Sequence, residues 1–167
     1  MSDNSAKVIH QFVSAAGIQC IDDWVAKYPA DEKQSAVMEA LMVVQGENGY
    51  LTPAAMDAVA EYLEMPAISV YEVATFYSMY ELKPLGRHLV NVCTNISCLL
   101  RDSAGVVQHL EKKLDIKLGE TTQDGRFTLR TVECLGACVN APMMQVDKDY
   151  HENLTPDTID AALEQYS

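Results

Sequence analysis

The chain has 167 residues, and its 24 acidic side chains outnumber its 12 Lys and Arg side chains, for a formal charge of −12 at pH 7. This balance argues against nucleic-acid binding, which depends on Lys and Arg contacts with phosphates, and against adhesion to an anionic membrane surface. Hydrophobic residues make up 49% of the chain. No apolar run approaches the ~20 residues needed to span a bilayer, so a globular protein without membrane insertion is predicted.

The amino-terminal segment offers few structural signals. It has neither the apolar core of a secretory signal nor an Arg-rich transit pattern. We therefore expect a cytoplasmic chain, or a mature matrix form whose presequence has been removed. Phe12, Ile18 and Trp24 are scattered among polar residues, and the helical periodicity is too weak to place an element. Residues 1–30 are accordingly interpreted as a poorly defined leader.

Two helices with clear boundary signals are predicted next, in a helical bundle over residues 31–84. The apolar residues of the first helix recur at helical spacing, at Val37, Leu41 and Val44. Gly49 is placed to end this helix. The second helix is predicted to begin at Thr52–Pro53, where the threonine is an N-cap and the proline takes the first helical position.

The third helix of the bundle is predicted from a capping-box pattern at Ser69–Glu72, where two side chains would satisfy free backbone N–H groups. We expect it to continue to Tyr80. One side of this helix carries Val73, Phe76, Tyr77 and Tyr80. We interpret that side as part of the bundle core rather than as a functional surface.

The character of the chain changes after Lys83–Arg87, where Pro and Gly interrupt the helical pattern. The rest, residues 85–167, is predicted to contain both strands and helices. In chain order we expect strand His88–Cys93, helix Ser103–Leu114, strand Phe127–Val132, a hairpin from Met143–Val146 and Tyr150–Leu154, and a helix after Thr155–Pro156. The predicted fold class is α/β (α+β), with an N-terminal helical bundle followed by a small α/β sandwich.

The spacing of the five cysteines separates two pairs from a single residue. Cys93 and Cys98 enclose four residues, Cys134 and Cys138 enclose three, and Cys20 stands alone in the leader. Both pairs lie where a predicted strand runs into a loop. If these two strands are neighbours in the sheet, the four thiols meet at one edge. Such convergence is what a thiolate metal centre requires.

Several kinds of chemistry could use these two pairs. Disulfides are disfavoured in an acidic chain without a secretory signal. Thiol–disulfide exchange usually needs a Cys-x-x-Cys spacing, which neither pair has. A structural zinc site with four cysteines remains open, although these separations lie at the wide end of its range. A Rieske centre would need two loop histidines, whereas His88, His109 and His151 lie outside both loops.

A [2Fe–2S] cluster fits the wide spacing better than zinc does. Each iron takes two thiolates, and loops of this width can wrap the two sides of the cluster. Gly136 and Ala137 are small, so backbone N–H groups can approach the sulfurs. Adding an electron within a chain of charge −12 is unfavourable, and we therefore expect a low reduction potential. Pro142 is a candidate for a cis peptide bond, with an ordinary trans proline as the alternative.

Three segments of the chain together resemble a known family. Val70–Tyr77, Cys93–Cys98 and Glu133–Met143 are similar, in sequence and in order, to the small [2Fe–2S] subunit of the NADH-dehydrogenase module of respiratory complex I. The resemblance runs from about Asp31 to the carboxyl terminus. It implies a thioredoxin-like [2Fe–2S] domain over residues 85–167, after the helical bundle.

The resemblance also implies a cofactor and its ligands. It assigns one [2Fe–2S] cluster to Cys93, Cys98, Cys134 and Cys138, with one iron on each pair, and it leaves Cys20 outside. It further implies an electron-transfer subunit of NADH:quinone oxidoreductase that docks on a flavoprotein subunit holding FMN and the NADH site. Other peripheral-arm subunits of complex I are the remaining expected partners. The chain would then be peripheral to the inner membrane through the complex.

NADH oxidation is expected to belong to the partner. The chain contains no G-x-G-x-x-G nucleotide-binding loop, so no independent NADH site and no catalytic residue are predicted in it. NAD-linked hydrogenases and formate dehydrogenases contain equivalent diaphorase subunits, and the motifs do not separate these assemblies from complex I. A zinc-stabilised interaction module is the more distant alternative.

Overall fold

The computed structural model describes residues 8–166. The chain forms two compact units, one ending at Pro84 and the other beginning at Leu85. Among the described residues, no helix combines the length and the apolar character needed to cross a membrane.

The first unit is helical. From residue 15 onward, its helices are α1 (Ala15–Val25), α2 (Val37–Asn48), α3 (Pro53–Tyr62) and α4 (Ala67–Phe76), and a 3₁₀ turn (Lys33–Ala36) precedes α2. The boundary predictions for α2 and α3 are confirmed. Gly49 ends α2 in the left-handed region with φ 81°, and Thr52 accepts a hydrogen bond from the Ala55 N–H at the start of α3.

Helix α1 lies in the segment where the sequence signals did not place an element. Ser14 caps it by accepting a hydrogen bond from the Gly17 N–H. The Ser14 hydroxyl and backbone N–H both donate to the carboxylate of Glu47, at 2.8 Å and 2.7 Å. Ile21 is fully buried in the core of the helical unit. Local patterns did not reveal this helix because its stabilising partner comes from helix α2, 33 residues away along the chain.

The prediction for helix α4 is wrong at both ends. The helix begins at Ala67 after Pro66 and has no side-chain cap, so Ser69 lies inside it rather than at its start. It ends at Phe76, and that side chain is 79% exposed instead of buried. Tyr77 is also exposed, whereas Tyr80 is buried and donates its hydroxyl to the Met38 carbonyl. The bundle core on this side is formed by Val70 and Ala74.

Over residues 85–166, the second unit contains one sheet and three α-helices. The strands are β1 (His88–Cys93), β2 (Phe127–Val132), β3 (Met144–Val146) and β4 (Asp149–His151); the helices are α5 (Ile96–Leu100), α6 (Ser103–Leu114) and α7 (Pro156–Leu163). The predicted order of strands and helices is confirmed, although the last strand is Asp149–His151 rather than the expected Tyr150–Leu154. Helix α5 is an addition that the sequence did not signal. Thr155 and Thr158 form a capping box at the start of α7.

The sheet has the order β2-β1-β3-β4. Strands β1 and β2 are parallel, and the pairs β1–β3 and β3–β4 are antiparallel. Apolar residues of strands β1, β2 and β3 and of helices α6 and α7 make one core: Val90, Val92, Val106, Leu110, Leu129, Met144, Val146, Ile159 and Leu163. Because β1 lies inside the sheet, its carboxyl end is held firmly beside that of β2.

Candidate metal centre

Two cysteine loops leave the sheet at the same edge. Cys93 is the last residue of β1, and its partner across the parallel ladder is Val132, the last residue of β2. Cys134 follows Val132 by two residues. The expectation that the two strands are neighbours is therefore confirmed, and it brings the two predicted loops together.

The first pair is buried. Cys93 and Cys98 are 2% and 1% exposed, and they pack with Ala141 and Met143 in a small apolar cluster. The Cys93 N–H donates to the Met143 carbonyl at 3.2 Å. Cys98 lies on helix α5, which begins at the N-cap Asn95. This short helix turns Cys98 back toward the end of β1, where the two cysteines are buried together. The Cys93 thiol donates to the Glu133 carbonyl at 3.8 Å.

Burial changes the acidity of this pair. Burial, and after it the hydrogen bond with Cys93, raises the pKa of the Cys98 thiol from 9.0 to about 11, and the negative charge of Cys93 and Cys138 acts in the same direction. A metal ligand must be a thiolate, and a bound metal cation supplies the positive charge that removes the proton. Burial therefore disfavours a free thiolate at Cys98, and a bound cation would offset that effect.

The second pair is exposed to solvent. Cys134 and Cys138 both lie at the surface, in the loop between β2 and β3. Gly136 has φ 83°, a left-handed conformation that glycine adopts without strain. In this conformation its N–H donates to the Cys134 sulfur at 3.4 Å. The expectation that a small residue at position 136 allows a backbone N–H to approach a sulfur is confirmed.

The second loop is held in place by residues that follow strand β3. The Tyr150 hydroxyl donates to the Leu135 carbonyl at 2.7 Å. At the other end of the loop, the Asn140 side-chain amide donates to Glu152 at 2.6 Å, and the Asn140 carbonyl accepts from the Asn153 N–H at 2.7 Å. These supports could not be predicted from local patterns, because the β3–β4 hairpin and the residues after it come from a later part of the chain.

The surroundings of the loops contain further features. Four large aliphatic side chains on α5 and on the second loop are between 59% and 97% exposed; these are Ile96, Leu99, Leu100 and Val139, here called the apolar rim. Helix α5 packs against the turn Cys138–Asn140, so the rim borders both cysteine loops. Pro142, which follows the second loop, has a cis peptide bond with Ala141.

The donor chemistry of this edge fits an iron–sulfur cluster. Four free cysteine thiols stand in two pairs, and a peptide N–H is directed at one of the sulfurs. Across residues 8–166, no three His, Cys, Asp or Glu side chains are arranged around one point as a single metal ion would need. The fit therefore depends on the pairing and the softness of the donors. Cys20 lies in helix α1 of the helical unit and belongs to neither loop.

A mixed four-stranded sheet with flanking helices and paired cysteine loops at one edge defines a small α/β domain with a candidate thiolate centre. The model of the thioredoxin-like [2Fe-2S] ferredoxin family matches residues 21–167, and the chain belongs to this family. The resemblance inferred from the three motifs and the predicted α/β fold class are both confirmed.

Two bacterial relatives cover most of the chain, and both are subunits of NADH-quinone oxidoreductase. The chain is 47% identical over 147 residues to the relative from Rickettsia felis, covering 87% of this chain and 88% of the relative. It is also 47% identical over 146 residues to the relative from Rhizobium meliloti, covering 87% and 86%. These identities extend over both units of the structure.

A solved structure shares the fold. A chain of an NAD+-reducing [NiFe]-hydrogenase superposes with a TM-score of 0.64 at 21% sequence identity. The match covers 75% of this chain and 21% of that chain. At this level of identity the likeness describes the fold.

Proposed function

We propose that this chain is an electron-transfer subunit of an NADH:quinone oxidoreductase and that Cys93, Cys98, Cys134 and Cys138 hold one [2Fe–2S] cluster. The pairing of Cys93 with Val132 at the ends of two parallel strands carries the proposal, because it brings both cysteine loops to one edge. The similarity to NADH-quinone oxidoreductase subunits of two bacteria supports the same assignment.

In this proposal each loop holds one iron. The buried thiols of Cys93 and Cys98 would hold one iron, and the exposed thiols of Cys134 and Cys138 would hold the other. When bound, the cluster supplies reversible one-electron chemistry at low potential. The chain itself orients the sulfurs, excludes water from the inner pair and directs the Gly136 N–H at Cys134.

The electron partner is proposed to be a flavoprotein subunit that holds FMN and oxidises NADH. The chain contains no glycine-rich nucleotide loop of its own. The apolar rim supports a protein partner here, since contiguous exposed apolar side chains mark interaction surfaces. We further propose that the chain lies in the peripheral arm of the complex, on the side of the membrane where NADH is oxidised. This is the cytoplasmic side in bacteria and the matrix side in mitochondria.

The purified chain tests the cofactor. We expect a brown protein with iron and inorganic sulfide in equal amounts and an EPR signal after dithionite reduction. It should oxidise no NADH with ferricyanide until the flavoprotein subunit is added. A colourless protein that contains zinc would overturn the cluster assignment. NADH oxidation by the chain alone would show that the NADH site is not confined to the partner. A hydrogenase or formate dehydrogenase flavoprotein as the co-purifying partner would overturn the assignment to complex I.

A further inference from the structure

One peptide unit of the second cysteine loop is hydrogen-bonded on both of its sides. The Tyr150 hydroxyl donates to the Leu135 carbonyl at 2.7 Å. The Gly136 N–H donates to the Cys134 sulfur at 3.4 Å. This carbonyl and this N–H belong to the same planar peptide bond, between Leu135 and Gly136. Tyr150 is therefore connected to the Cys134 sulfur through a single rigid group.

The positions of both donors are determined by the fold. Tyr150 lies in strand β4, opposite Gln145 of β3, which places its hydroxyl at the loop. The φ of 83° at Gly136 turns the N–H toward the sulfur. A side chain at position 136 would be strained in this conformation, although no atom lies within 4 Å of a Cβ there. Glycine is therefore needed at position 136 because of the direction of its N–H, and not because space is short there.

The connection has an electrostatic consequence. A hydrogen bond accepted by a peptide carbonyl polarises the same peptide and strengthens the bond that its N–H donates, by about 10–30%. Hydrogen bonds to cluster sulfurs stabilise the more negative reduced state and raise the reduction potential. A donor on the Leu135 carbonyl therefore acts on the cluster without touching it.

We propose that Tyr150 is a positioning residue that raises the reduction potential of the cluster through the Leu135–Gly136 peptide and the sulfur of Cys134. This inference rests on the proposed function, because it takes Cys134 as a cluster ligand. The other supports of the loop, Asn140 and Glu152, hold its far end and have no such connection to a sulfur.

The experiment is a redox titration of the full chain, followed by EPR, with Tyr150→Phe. At an ambient potential equal to the wild-type midpoint, the ratio of reduced to oxidised cluster should fall by about twofold, since the lost polarisation is a fraction of one charge-assisted hydrogen bond. The coupling of the exchangeable Gly136 proton to the reduced cluster, measured by ENDOR, should decrease as well.

A second variant should change the ratio of reduced to oxidised cluster in the opposite direction. Incorporation of 3-fluorotyrosine at position 150 keeps the shape of the side chain and makes its hydroxyl a stronger donor, so the ratio should rise. Tyr166→Phe is the matched control. It removes a hydroxyl that is hydrogen-bonded to His151 and Asp149 in the same unit, and it should leave the ratio unchanged.

The possible outcomes separate this inference from the proposed function. If the wild-type chain holds a cluster and both position-150 variants keep its ratio of reduced to oxidised cluster, the role of Tyr150 alone is overturned. If Tyr150→Phe does not assemble a cluster, the fluorotyrosine chain decides, and a ratio that fails to rise overturns the inference. A wild-type chain without an iron–sulfur EPR signal would overturn the proposed function and this inference with it.

Discussion

The two cysteine pairs have the same chemistry and opposite surroundings. Cys93 and Cys98 belong to the packed interior of the sheet unit, at 2% and 1% exposure. Cys134 and Cys138 lie in an exposed loop whose shape depends on hydrogen bonds from the β3–β4 hairpin and the residues after it. The packed core of the sheet unit therefore fixes the positions of Cys93 and Cys98, whereas a few hydrogen bonds fix the loop of Cys134 and Cys138.

This difference in exposure indicates that the two cysteine pairs have different roles in a redox centre. The buried half keeps water away from two sulfurs and raises the pKa of Cys98, so it favours a bound cation over free thiolates. The exposed half leaves its sulfurs near the surface, next to the apolar rim, where a partner can approach closely. Substitution and chemical labelling can test whether the two pairs differ in the way that burial implies.

Serine substitutions should have the largest and most unequal effects. Cys98→Ser should lose the cluster, because a buried hydroxyl is a harder and less acidic ligand than a thiol and the packed core does not let it move. Cys134→Ser should keep most of its iron with an altered visible spectrum, since its loop is exposed and can adjust. Iron content and absorbance of the purified variants measure both.

Cys20→Ser is the control for these variants, because Cys20 lies in helix α1 and outside both loops. Its iron content and spectrum should match the wild type. Equal iron loss in Cys98→Ser and Cys134→Ser would show that burial does not distinguish the two pairs. Full iron with an unchanged spectrum in Cys134→Ser would remove Cys134 from the ligand set.

Alkylation of the metal-free protein should show a rate difference between the pairs. At pH 8, iodoacetamide should label Cys134 and Cys138 at least about tenfold faster than Cys98, because only an accessible thiolate reacts. Since the pKa of Cys98 is raised from 9.0 to about 11, its labelling rate should continue to increase with pH up to about 11. Mass spectrometry of each labelled peptide gives the rates, and a Cys98 rate that levels off near pH 9 would contradict the raised pKa.

The smallest effect is expected from Gly136→Ala. A left-handed alanine costs about 1–2 kcal/mol, and the open space around position 136 adds no clash. The free energy of unfolding should fall by at most that amount, because the loop can relieve the strain by turning the N–H away from Cys134, and the EPR signal should then change. Denaturant unfolding and EPR of the variant measure these two results.

Gly49→Ala is a matched control, because Gly49 has nearly the same conformation, φ 81°, and equally open surroundings in the helical unit. It should lose similar stability and leave the EPR signal unchanged. If both variants alter the signal, the N–H of Gly136 has no special connection with the site.

Sequence patterns predicted the elements that depend on neighbouring residues. Thr52 and Thr155 cap α3 and α7 as expected, because capping needs only a short stretch of chain. Strand β1 and helix α6 have the predicted bounds. Helix α6 has apolar residues at helical spacing, whereas β1 alternates only weakly. The prediction for helix α4 differs from the structure because the Ser69–Glu72 pattern matches a capping box, whereas the N-cap is Pro66, three residues earlier.

By itself, the sequence determined the four paired cysteines, their separations and the strands from which they emerge, and this was enough to propose a [2Fe–2S] site. Only the tertiary structure decided which pair is buried and that Tyr150 supports the exposed loop. It likewise decided that Phe76 faces outward. The physical reason is that burial and hairpin contacts depend on residues far apart in the chain, whereas spacing and capping are complete within a few neighbouring residues.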